Sequence, residues 1–555
     1  MASPSPLLQP PPSSPDPSQH CTIKLPLSFP KKPQTPLFLF VLFLAISSAA
    51  AFVFLLSSSS SSASSISPEI HVGSPRARAL AKLRRPVVLV VSCDGFRFGP
   101  LYLLRLLLLL LSSFCLRRRL DYRSFSCFSF SPQTPKNPFE SPSNYHVTTL
   151  HVGSPRARAL AKLRRPVVLV VSCDGFRFGY QFKTPTPNIH RLVANGTEAE
   201  TGLIPVFPSL TFPNHYAIAT GLYPASHGII NNYFVDPVSG ERFTPSNHDP
   251  KWWLGEPLWE TVADHGLNAA TYFWPGSEVV KGNWTCPPRF CPKYNASVPF
   301  EQRVDTVLSY FDLPQNEIPV FINLYFEDPD KQGHQVGPDD PKITKAVVRV
   351  DEMIGRLIQG LEERGIFEDV TFILLGDHGM VGTCDKKTIF LDDLAPWIRI
   401  PESWVTYYYP VLSILPPTSV SYSEMVAKMN AGLASGKVEN GDYLRMYLKE
   451  DLPGRLHYSD SSRIPPIVGL VDEGFSVEQA RTNNKECAGA HGYDNALFSM
   501  RTIFVAHGPQ FQRGRKIPSF VNIEIYNLIT SILKLKGAPN NGSASFPNSV
   551  LLPSA

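Results

Sequence analysis

Apolar and polar residues alternate in long blocks from about residue 165 onward. Four runs of consecutive apolar, largely β-branched residues lie at 166–175, 319–330, 370–379 and 501–509. Such runs are typical of strands that are buried on both faces. Helical periodicity lies between them and is clearest over 343–365, where it ends at Gly365 as at a helix C-terminus. The alternation predicts an α/β fold, an αβα sandwich around a largely parallel central sheet.

A different hydrophobic pattern occupies residues 36–56, which are uncharged and mostly apolar. A helix of about 20 such residues is long enough to cross a bilayer. Lys31 and Lys32 precede the run and no positive charge follows before Arg76, so the N-terminus is expected to stay cytosolic. A cleaved signal peptide is the alternative, but its apolar region would be shorter and nearer the start. We expect a signal anchor and a single-pass type II membrane protein of the secretory pathway or plasma membrane, with its main domain lumenal or extracellular.

The segments around this anchor have little folding potential. Proline is abundant in the chain, 54 residues in all, and is dense in residues 1–35, which we expect to form a disordered cytosolic tail. Residues 57–164 are predicted to be a non-catalytic linker, and its segment 71–99 is repeated identically at 151–179. Only the second copy continues into a helical pattern, so Asp174 and not its counterpart Asp94 is expected to be functional. The insert could be a second membrane span, a regulatory linker or an accident of the gene model, and we favour the last.

Charge and cysteine usage narrow the class of protein. The net charge of +5 is mild, and much of it lies in clusters before residue 166, so no nucleic-acid partner is expected. Cys286 and Cys291, in the Pro-rich stretch CPPRFC, are predicted to form a disulfide. The chain also has four glycosylation sequons, all after the anchor, and these fit a secretory route: Asn195, Asn283, Asn295 and Asn541.

Carboxylates and histidines follow three of the four predicted strands. Because the carboxyl ends of parallel strands meet at one edge of a sheet, we expect these side chains to lie together. Carboxylate oxygen and neutral imidazole form a ligand set suited to Zn²⁺, and two such ions can stabilise the attacking and leaving oxygens of a phosphoryl displacement. Any one of these residues could instead be a helix cap or a packed histidine, but the set is a metal-site candidate: Asp174, Asp330, His334, Asp377, His378 and His491.

Thr211 is the candidate nucleophile. Pro213 follows it closely and is tolerated in the first turn of a helix, which would place the Thr211 hydroxyl at a helix N-terminus. A threonine hydroxyl is weakly nucleophilic near neutral pH, and coordination to a metal would activate it. The alternative role, a helix cap, is compatible with catalysis.

Six segments in unbroken order resemble one known family. They are CDGFR, FPSLTFPNHYAIATGLYPASHGIINNYF, FWPGSEV, EDPDKQGH, GDHGM and AHGYDN. Together they look like the ectonucleotide pyrophosphatase/phosphodiesterase family of the alkaline phosphatase superfamily, in its compact single-domain form. The resemblance covers roughly residues 165–535, which we expect to be the catalytic domain, followed by a tail at 536–555.

The resemblance implies roles for individual residues. One zinc would be held by Asp174, Thr211, Asp377 and His378, and a second by Asp330, His334 and His491. Asn232 would donate to a phosphate oxygen, and Phe212 and Tyr294 would sandwich the base of a nucleotide. The implied reaction is hydrolysis of pyrophosphate and phosphodiester bonds through a nucleotidyl-threonine intermediate, releasing a nucleoside 5′-monophosphate. The substrates would be nucleoside triphosphates, dinucleotides or nucleotide sugars. A disulfide between Cys384 and Cys487 is a hypothesis.

Three alternatives remain open. A phosphomonoesterase would need a cationic residue beside the nucleophile, but Leu210 and Phe212 flank Thr211. A lysophospholipid or choline phosphodiesterase of the same family would share the ligand set. A membrane-tethered binding protein without activity is disfavoured because no expected ligand is missing.

Overall fold

The computed structural model describes residues 155–481 and 487–553, without the side chain of Asp385. The predicted tail (1–35), anchor (36–56) and first repeat copy with Asp94 lie outside the described residues. Among the helices that are described, none combines the length and the hydropathy needed to cross a membrane.

A seven-stranded sheet forms the centre of the described fold. The strands of the described residues, numbered along the chain, are β1 Val167–Cys173, β2 Thr197–Ala199, β3 Phe234–Val235, β4 Arg242–Phe243, β5 Ala269–Tyr272, β6 Phe321–Phe326, β7 Val370–Leu375, β8 Val381–Thr383, β9 Thr388–Phe390, β10 Val405–Tyr407, β11 Val411–Ile414, β12 Leu444–Leu448, β13 Ile467–Val471, β14 Ser476–Glu478, β15 Ala488–Ala490, β16 Phe504–His507 and β17 Arg515–Ile517. The order of the strands in the central sheet is β17-β2-β16-β7-β1-β6-β5.

Helices cover both faces of this sheet. The helices are α1 Pro187–Asn195, α2 Thr211–Thr220, α3 Pro224–His227, α4 Leu258–Asp264, α5 Phe300–Ser309, α6 Asp330–Val336, α7 Pro341–Glu363, α8 Tyr422–Leu433, α9 Glu524–Leu533 and α10 Phe546–Val550. Along β1, Val168 and Val170 pack in one hydrophobic cluster with residues of α2, α4 and α9, whereas Leu169 and Val171 pack in another with residues of α1, α5 and α7. The predicted α/β sandwich is therefore confirmed.

The sheet is mostly, but not wholly, parallel. β1 pairs in parallel with β6 and β7, and β5 pairs in parallel with β6. The run predicted at 501–509 does form a strand, β16, but it is antiparallel to both β7 and β2. Hydrophobic patterning cannot distinguish these directions, because a strand buried on both faces has the same composition in either one.

The segment between β7 and β16 carries a second, smaller sheet. Its strands β10, β11, β13 and β12 pair antiparallel in that order. They enclose a separate hydrophobic cluster with α8, in which Met425 and Met429 are buried. Two short strands, β8 and β15, pair antiparallel where this segment leaves and rejoins the central sheet.

The described structure extends beyond residues 165–535 at both ends. The backbone nitrogen of Ala157 donates to the carbonyl of Pro553, and that of Leu552 donates to the carbonyl of Gln510. Asp369, directly before β7, accepts hydrogen bonds from the backbone nitrogens of residues 161–163, two of them at 2.8 and 2.9 Å. This carboxylate therefore fixes the path of the chain into β1.

We expect Asp369→Asn to lower the free energy of unfolding by about 1.5–3 kcal/mol, because bonds to a charged acceptor are lost. Burial opposes ionisation, but the backbone donors hold the pKa of Asp369 below its usual value. The contribution is therefore complete above the unfolded pKa of about 3.9 and is lost as the pH falls through the folded pKa. Urea unfolding at a series of pH values measures this difference. Glu368→Gln, at the neighbouring exposed ion pairs, is the control and should cost less than about 1 kcal/mol.

Candidate active site

The carboxyl ends of β1, β6 and β7 bring the predicted ligands to one edge of the central sheet. Asp174 follows β1 directly, and Asp377 and His378 follow β7. Asp330 begins α6 just after β6, and His334 lies one turn further along that helix. His491 follows β15, so it reaches the site from the segment between β7 and β16 that carries the smaller sheet, which we call the smaller lobe.

Gly175 allows the first two of these strand ends to approach closely. It has φ +60°, and a Cβ built there would lie 2.8 Å from Cβ of Asp330. The backbone nitrogen of Asp330 donates to the carbonyl of Asp174 at 3.0 Å. The Gly175 nitrogen donates to Oδ1 of Asp377, also at 3.0 Å. A side chain at position 175 would separate the strand ends and with them the ligands.

The first predicted ligand group is assembled in the structure. Nε2 of His378 lies 3.3 Å from Oδ1 of Asp174 and 3.0 Å from Oδ2 of Asp377. Oγ1 of Thr211 lies 3.2 Å from the same nitrogen. Asp174 is 2% exposed, and Asp377 and His378 are fully buried. Asp174, Asp377 and His378 each offer one candidate ligand atom, and these three atoms lie within 4.8 Å of one another, which is the spacing of a single cation site.

The second predicted group is assembled beside it. Nε2 of His334 lies 3.4 Å from Oδ2 of Asp330 and 3.0 Å from Nε2 of His491. Nε2 of His491 lies 3.4 Å from Oδ1 of Asp330. The rings of His378 and His491 are stacked with centroids 3.5 Å apart, and the ligand atoms of Asp330, His378 and His491 also lie within 4.8 Å of one another. The two groups are therefore neighbours.

The bonding of these side chains fits a cation. Each ring uses Nδ1 to donate to a backbone carbonyl: His334 to Gly489 and His491 to Ser209 at 3.0 Å, and His378 to Gly379 at 2.9 Å. Nε2 is left as the ligand atom, the usual arrangement for metal-binding histidine. Three buried carboxylate oxygens have no hydrogen-bond partner among the described residues: Asp174 Oδ1, Asp330 Oδ1 and Asp377 Oδ2. Buried anionic oxygens without donors are what a bound cation would satisfy.

The pKa shifts of the candidate ligand side chains also fit a bound cation. Burial raises the pKa of Asp174, and the charge of Asp377 raises it further. Burial, with the charge of Asp174, raises the pKa of Asp330 well above its usual range. For Asp377, burial is outweighed by His378 and His215, which hold its pKa well below the usual value. Desolvation lowers the pKa of His491 and of the half-exposed His334, which favours the neutral imidazole that binds a metal, whereas Asp377 and Asp174 raise the pKa of His378 against its burial.

Helix α2 presents the candidate nucleophile at its N-terminus. The helix begins at Thr211, and its N-cap is Leu210, which has no side-chain capping bond. Thr211 is therefore the first helical residue and not the cap, so its hydroxyl is available to the ligand cluster. The Phe212 nitrogen donates to Oδ1 of Asn232 at 2.9 Å. This bond assigns the oxygen of the Asn232 amide to the helix end and leaves its NH₂ group as a donor.

The two predicted base-binding aromatics have different surroundings. Phe212 is partly buried and tilted against Trp253, with centroids 6.2 Å apart. Tyr294 is half exposed, and its hydroxyl donates to Oε1 of Glu327 at 2.9 Å. Glu327 in turn accepts two bonds from the buried guanidinium of Arg303, at 2.9 and 3.0 Å. An ion pair between the buried Arg303 and the partly exposed Glu327 therefore orients Tyr294.

Sequence reasoning missed Arg303, Glu327, Tyr325 and His215. The Tyr325 hydroxyl donates to Oδ2 of Asp174 at 2.5 Å. Tyr325 lies inside an apolar strand, where its sequence pattern resembles that of any core aromatic. His215 carried a usable signal, because it follows Thr211 by four residues and so shares its helix face.

The structure contains two disulfides among its described residues, Cys286–Cys291 and Cys384–Cys487. The second closes a separation of 103 residues and connects the segments that carry β8 and β15. Of the four sequon asparagines, Asn283, Asn295 and Asn541 are exposed and Asn195 is half-buried. Nδ2 of Asn195 donates to the carbonyl of Arg191 at 3.0 Å.

An αβα sandwich with Asp and His clustered at the carboxyl edge of its sheet, beside a threonine at a helix N-terminus, defines a member of the alkaline phosphatase superfamily. Residues 168–494 match the family described as type I phosphodiesterase / nucleotide pyrophosphatase. The chain belongs to the ectonucleotide pyrophosphatase/phosphodiesterase family, which confirms the resemblance in its motifs.

Curated relatives and solved structures agree. The chain is 40% identical over 405 residues to venom phosphodiesterase of Macrovipera lebetinus, covering 69% of this chain and 45% of that protein. It is 37% identical over 389 residues to an uncharacterized pyrophosphatase/phosphodiesterase of Schizosaccharomyces pombe, covering 68% and 78%. Murine ectonucleotide pyrophosphatase/phosphodiesterase 5, solved as an inactive threonine-to-alanine form with AMP, matches with TM-score 0.62 and 33% identity, over 70% of this chain and all of that one. The chain spans less than half the length of the venom relatives.

Proposed function

We propose that this protein is a zinc-dependent nucleotide pyrophosphatase/phosphodiesterase that uses Thr211 as its nucleophile. The observation that carries the proposal is the position of Oγ1 of Thr211, 3.2 Å from Nε2 of His378 and beside the two groups of candidate ligands. Two Zn²⁺ ions suit this mixed set, one with Asp174, Thr211, Asp377 and His378 and one with Asp330, His334 and His491. When bound, zinc would supply positive charge that favours the threonine alkoxide and the developing charge on phosphate.

The chain's own residues carry out the reaction and position the phosphate. Thr211 loses its hydroxyl proton to solvent, and its oxygen forms a bond to phosphorus while the bond to the leaving phosphate or alcohol breaks. A water then adds to phosphorus as the bond to Thr211 breaks, and a proton returns to the Thr211 oxygen, which releases the nucleoside 5′-monophosphate. The N-terminus of α2 favours negative charge at both steps. The NH₂ group of Asn232 is the donor for a non-bridging phosphate oxygen, and its orientation is set by the bond to Phe212.

Nucleotide recognition is assigned to Phe212 and Tyr294, which would hold the base between them. The murine structure with AMP supports a nucleotide in this fold. Stacking is tolerant of base identity. The substrate class we propose is therefore broad: nucleoside triphosphates, dinucleotides and nucleotide sugars.

Tyr294→Ala should raise KM for a nucleotide substrate by about 5- to 100-fold, the range of one lost stacking contact. Tyr294→Phe, which keeps the ring and loses only the bond to Glu327, should raise KM less than about threefold. Steady-state kinetics on thymidine 5′-monophosphate p-nitrophenyl ester measures both changes. A phosphonate ester without a base is the control substrate, and an equal loss on it would contradict base stacking.

The same proposal places the catalytic domain on the lumenal or extracellular side, as a type II membrane protein. Two disulfides and three exposed sequon asparagines support it. Digestion with a glycosidase and protease protection of intact vesicles test the topology. A domain that is unglycosylated and cleaved from the cytosolic side would contradict it.

The function is tested by comparing three substrates on the full-length protein with zinc. We expect turnover of the thymidine nitrophenyl ester, and turnover of p-nitrophenyl phosphate and lysophosphatidylcholine at least about tenfold slower, because the proposed site recognises a diester with a base. Faster turnover of the lysophospholipid would identify a lipid phosphodiesterase, and faster turnover of the monoester a phosphatase. No turnover of any of the three by folded, zinc-containing protein would favour a binding role.

A further inference from the structure

His215 lies directly beneath the candidate active site, one helical turn after Thr211, and its side chain is fully buried. Its Nδ1 lies 2.9 Å from the carbonyl oxygen of Thr211 and 3.3 Å from Oδ2 of Asp377. Its Nε2 lies 2.9 Å from Oγ of Ser172, on β1. One imidazole therefore contacts the backbone of the nucleophile, a ligand carboxylate and the central strand.

These partners define which nitrogen carries the proton. A carbonyl oxygen can only accept, so Nδ1 is protonated and donates to Thr211. The Ser172 hydroxyl can donate or accept, so it bonds to Nε2 in either protonation state of the ring. The same Nδ1–H dipole lies beside Oδ2 of Asp377, the oxygen of that ligand which has no hydrogen-bond partner among the described residues.

The ring is also held in place sterically. Trp274 packs against it edge-on with centroids 4.9 Å apart, and Tyr325 does so at 5.3 Å. Nε1 of Trp274 donates to the His215 carbonyl at 3.0 Å, and the Tyr325 hydroxyl donates to Asp174. Tyr325 therefore contacts both the imidazole and the ligand group, so a change in ring position would be transmitted to the site.

We propose that His215 is a positioning residue, which uses its Nδ1–H to set the position of Thr211 relative to the ligand Asp377, and that Ser172 holds the ring in place through Nε2. The proposal rests on the proposed function and assigns His215 no contact with substrate. Its physical basis is that in-line attack needs a near-attack geometry, and a displacement of about 1 Å can cost about 10²-fold in rate.

Two near-isosteric substitutions separate the two nitrogens. The amide NH₂ of His215→Asn falls where Nδ1 is, whereas that of His215→Gln falls where Nε2 is. We expect His215→Asn to keep kcat within about threefold of wild type and His215→Gln to lose about 30-fold in kcat, both with little change in KM. His215→Gln should also release zinc to a competing chelator more readily than His215→Asn, a readout that does not depend on turnover.

Ser172→Ala and a second buried histidine complete the test. Ser172→Ala should lower kcat about three- to tenfold without changing KM, because the ring loses its hydrogen bond at Nε2 and can shift. His227 is equally buried and bonds through Nε2 to the Pro213 carbonyl of the same helix, at 3.1 Å, so His227→Asn and His227→Gln are matched controls. They should lower Tm but keep kcat within about twofold.

Equal kcat and equal zinc release in the two His215 variants would overturn the proposal. So would an unchanged kcat in Ser172→Ala, or a loss in the His227 variants as large as that in His215→Gln at the same fall in Tm. A wild-type protein that cleaves no phosphodiester would contradict the proposed function instead, and the zinc-release comparison would still decide whether His215 positions the ligand.

Discussion

Thr211→Ala is expected to lower kcat by about 10³-fold or more, because a covalent mechanism loses its attacking atom. The fold should survive, since Thr211 is the first residue of α2 and makes no capping bond. Single-turnover kinetics with the thymidine nitrophenyl ester measure the rate of the chemical step directly. Denaturation of the wild-type enzyme during turnover should in addition trap a nucleotide on Thr211, which peptide mass spectrometry would detect.

Two variants make this result specific. Thr211→Ser keeps the hydroxyl and should retain activity far above that of the alanine variant. Thr220→Ala, at the other end of the same helix, removes a hydroxyl that bonds only to local backbone, to the Tyr216 carbonyl and from the Leu222 nitrogen, and should keep kcat within about twofold. If Thr211→Ala retained a tenth of the wild-type kcat, water and not threonine would be the nucleophile.

Removing zinc is expected to abolish turnover and to destabilise the fold. Chelation should lower kcat/KM by about 10²-fold or more, and adding zinc back should restore it. A ligand at a thousandfold excess over its Kd stabilises by about 4 kcal/mol, so the Tm of the chelated protein should fall by several degrees. Calorimetry and the nitrophenyl assay on the same samples measure the two effects. If metal analysis found no bound metal and turnover were unchanged, the site would not be metal-dependent.

The stabilisation by zinc should increase with pH. Without the ion, burial and repulsion raise the pKa of Asp174 and Asp330, so the folded apoprotein keeps protons that the unfolded chain releases above about pH 4. Its stability therefore falls as the pH rises through these raised folded values. The proposed zinc ions would bind the ionised carboxylates and so would stabilise the fold more as the pH rises. The difference in Tm between zinc-bound and chelated protein should grow from about pH 5.5 to about pH 7.5.

The repeated segment provides a control for the ligand assignment. Asp94 and Asp174 occupy the same position in two identical copies, 71–99 and 151–179. Asp174→Asn should lose zinc and activity, whereas Asp94→Asn should resemble wild type. A loss of zinc from the Asp94 variant would show that the first copy contributes to the site.

The sequence could predict the strands because they are buried on both faces. The seven residues of β1 are all buried, and their composition identifies such a strand directly. The ligands at the ends of β1, β6 and β7 followed from the topology rule for parallel sheets. Strand direction at β16 was not predictable, because it depends on the long connection through the smaller lobe and not on the residues of the strand.

Residues that act through others were the hardest to predict. Arg303 is fully buried and reaches Glu327 across 24 residues of sequence, so only the folded chain shows that it orients Tyr294. His215 has its partners on β1 and after β7, 43 and 162 positions away. A single sequence identifies groups with distinctive chemistry at strand ends, whereas the supports beneath them depend on packing.

The Cys384–Cys487 bond also affects the order in which the protein matures. It connects the segment after β7, which follows Asp377 and His378, to the segment before β15, which leads to His491. In a reducing compartment these two ligand-bearing segments would lose their covalent link and would be joined to each other by the short β8–β15 pairing. We therefore expect the proposed site around His491 to bind its metal less tightly in the reduced protein. Under the proposed function, a newly made chain would reach full activity only where its cysteines are oxidised.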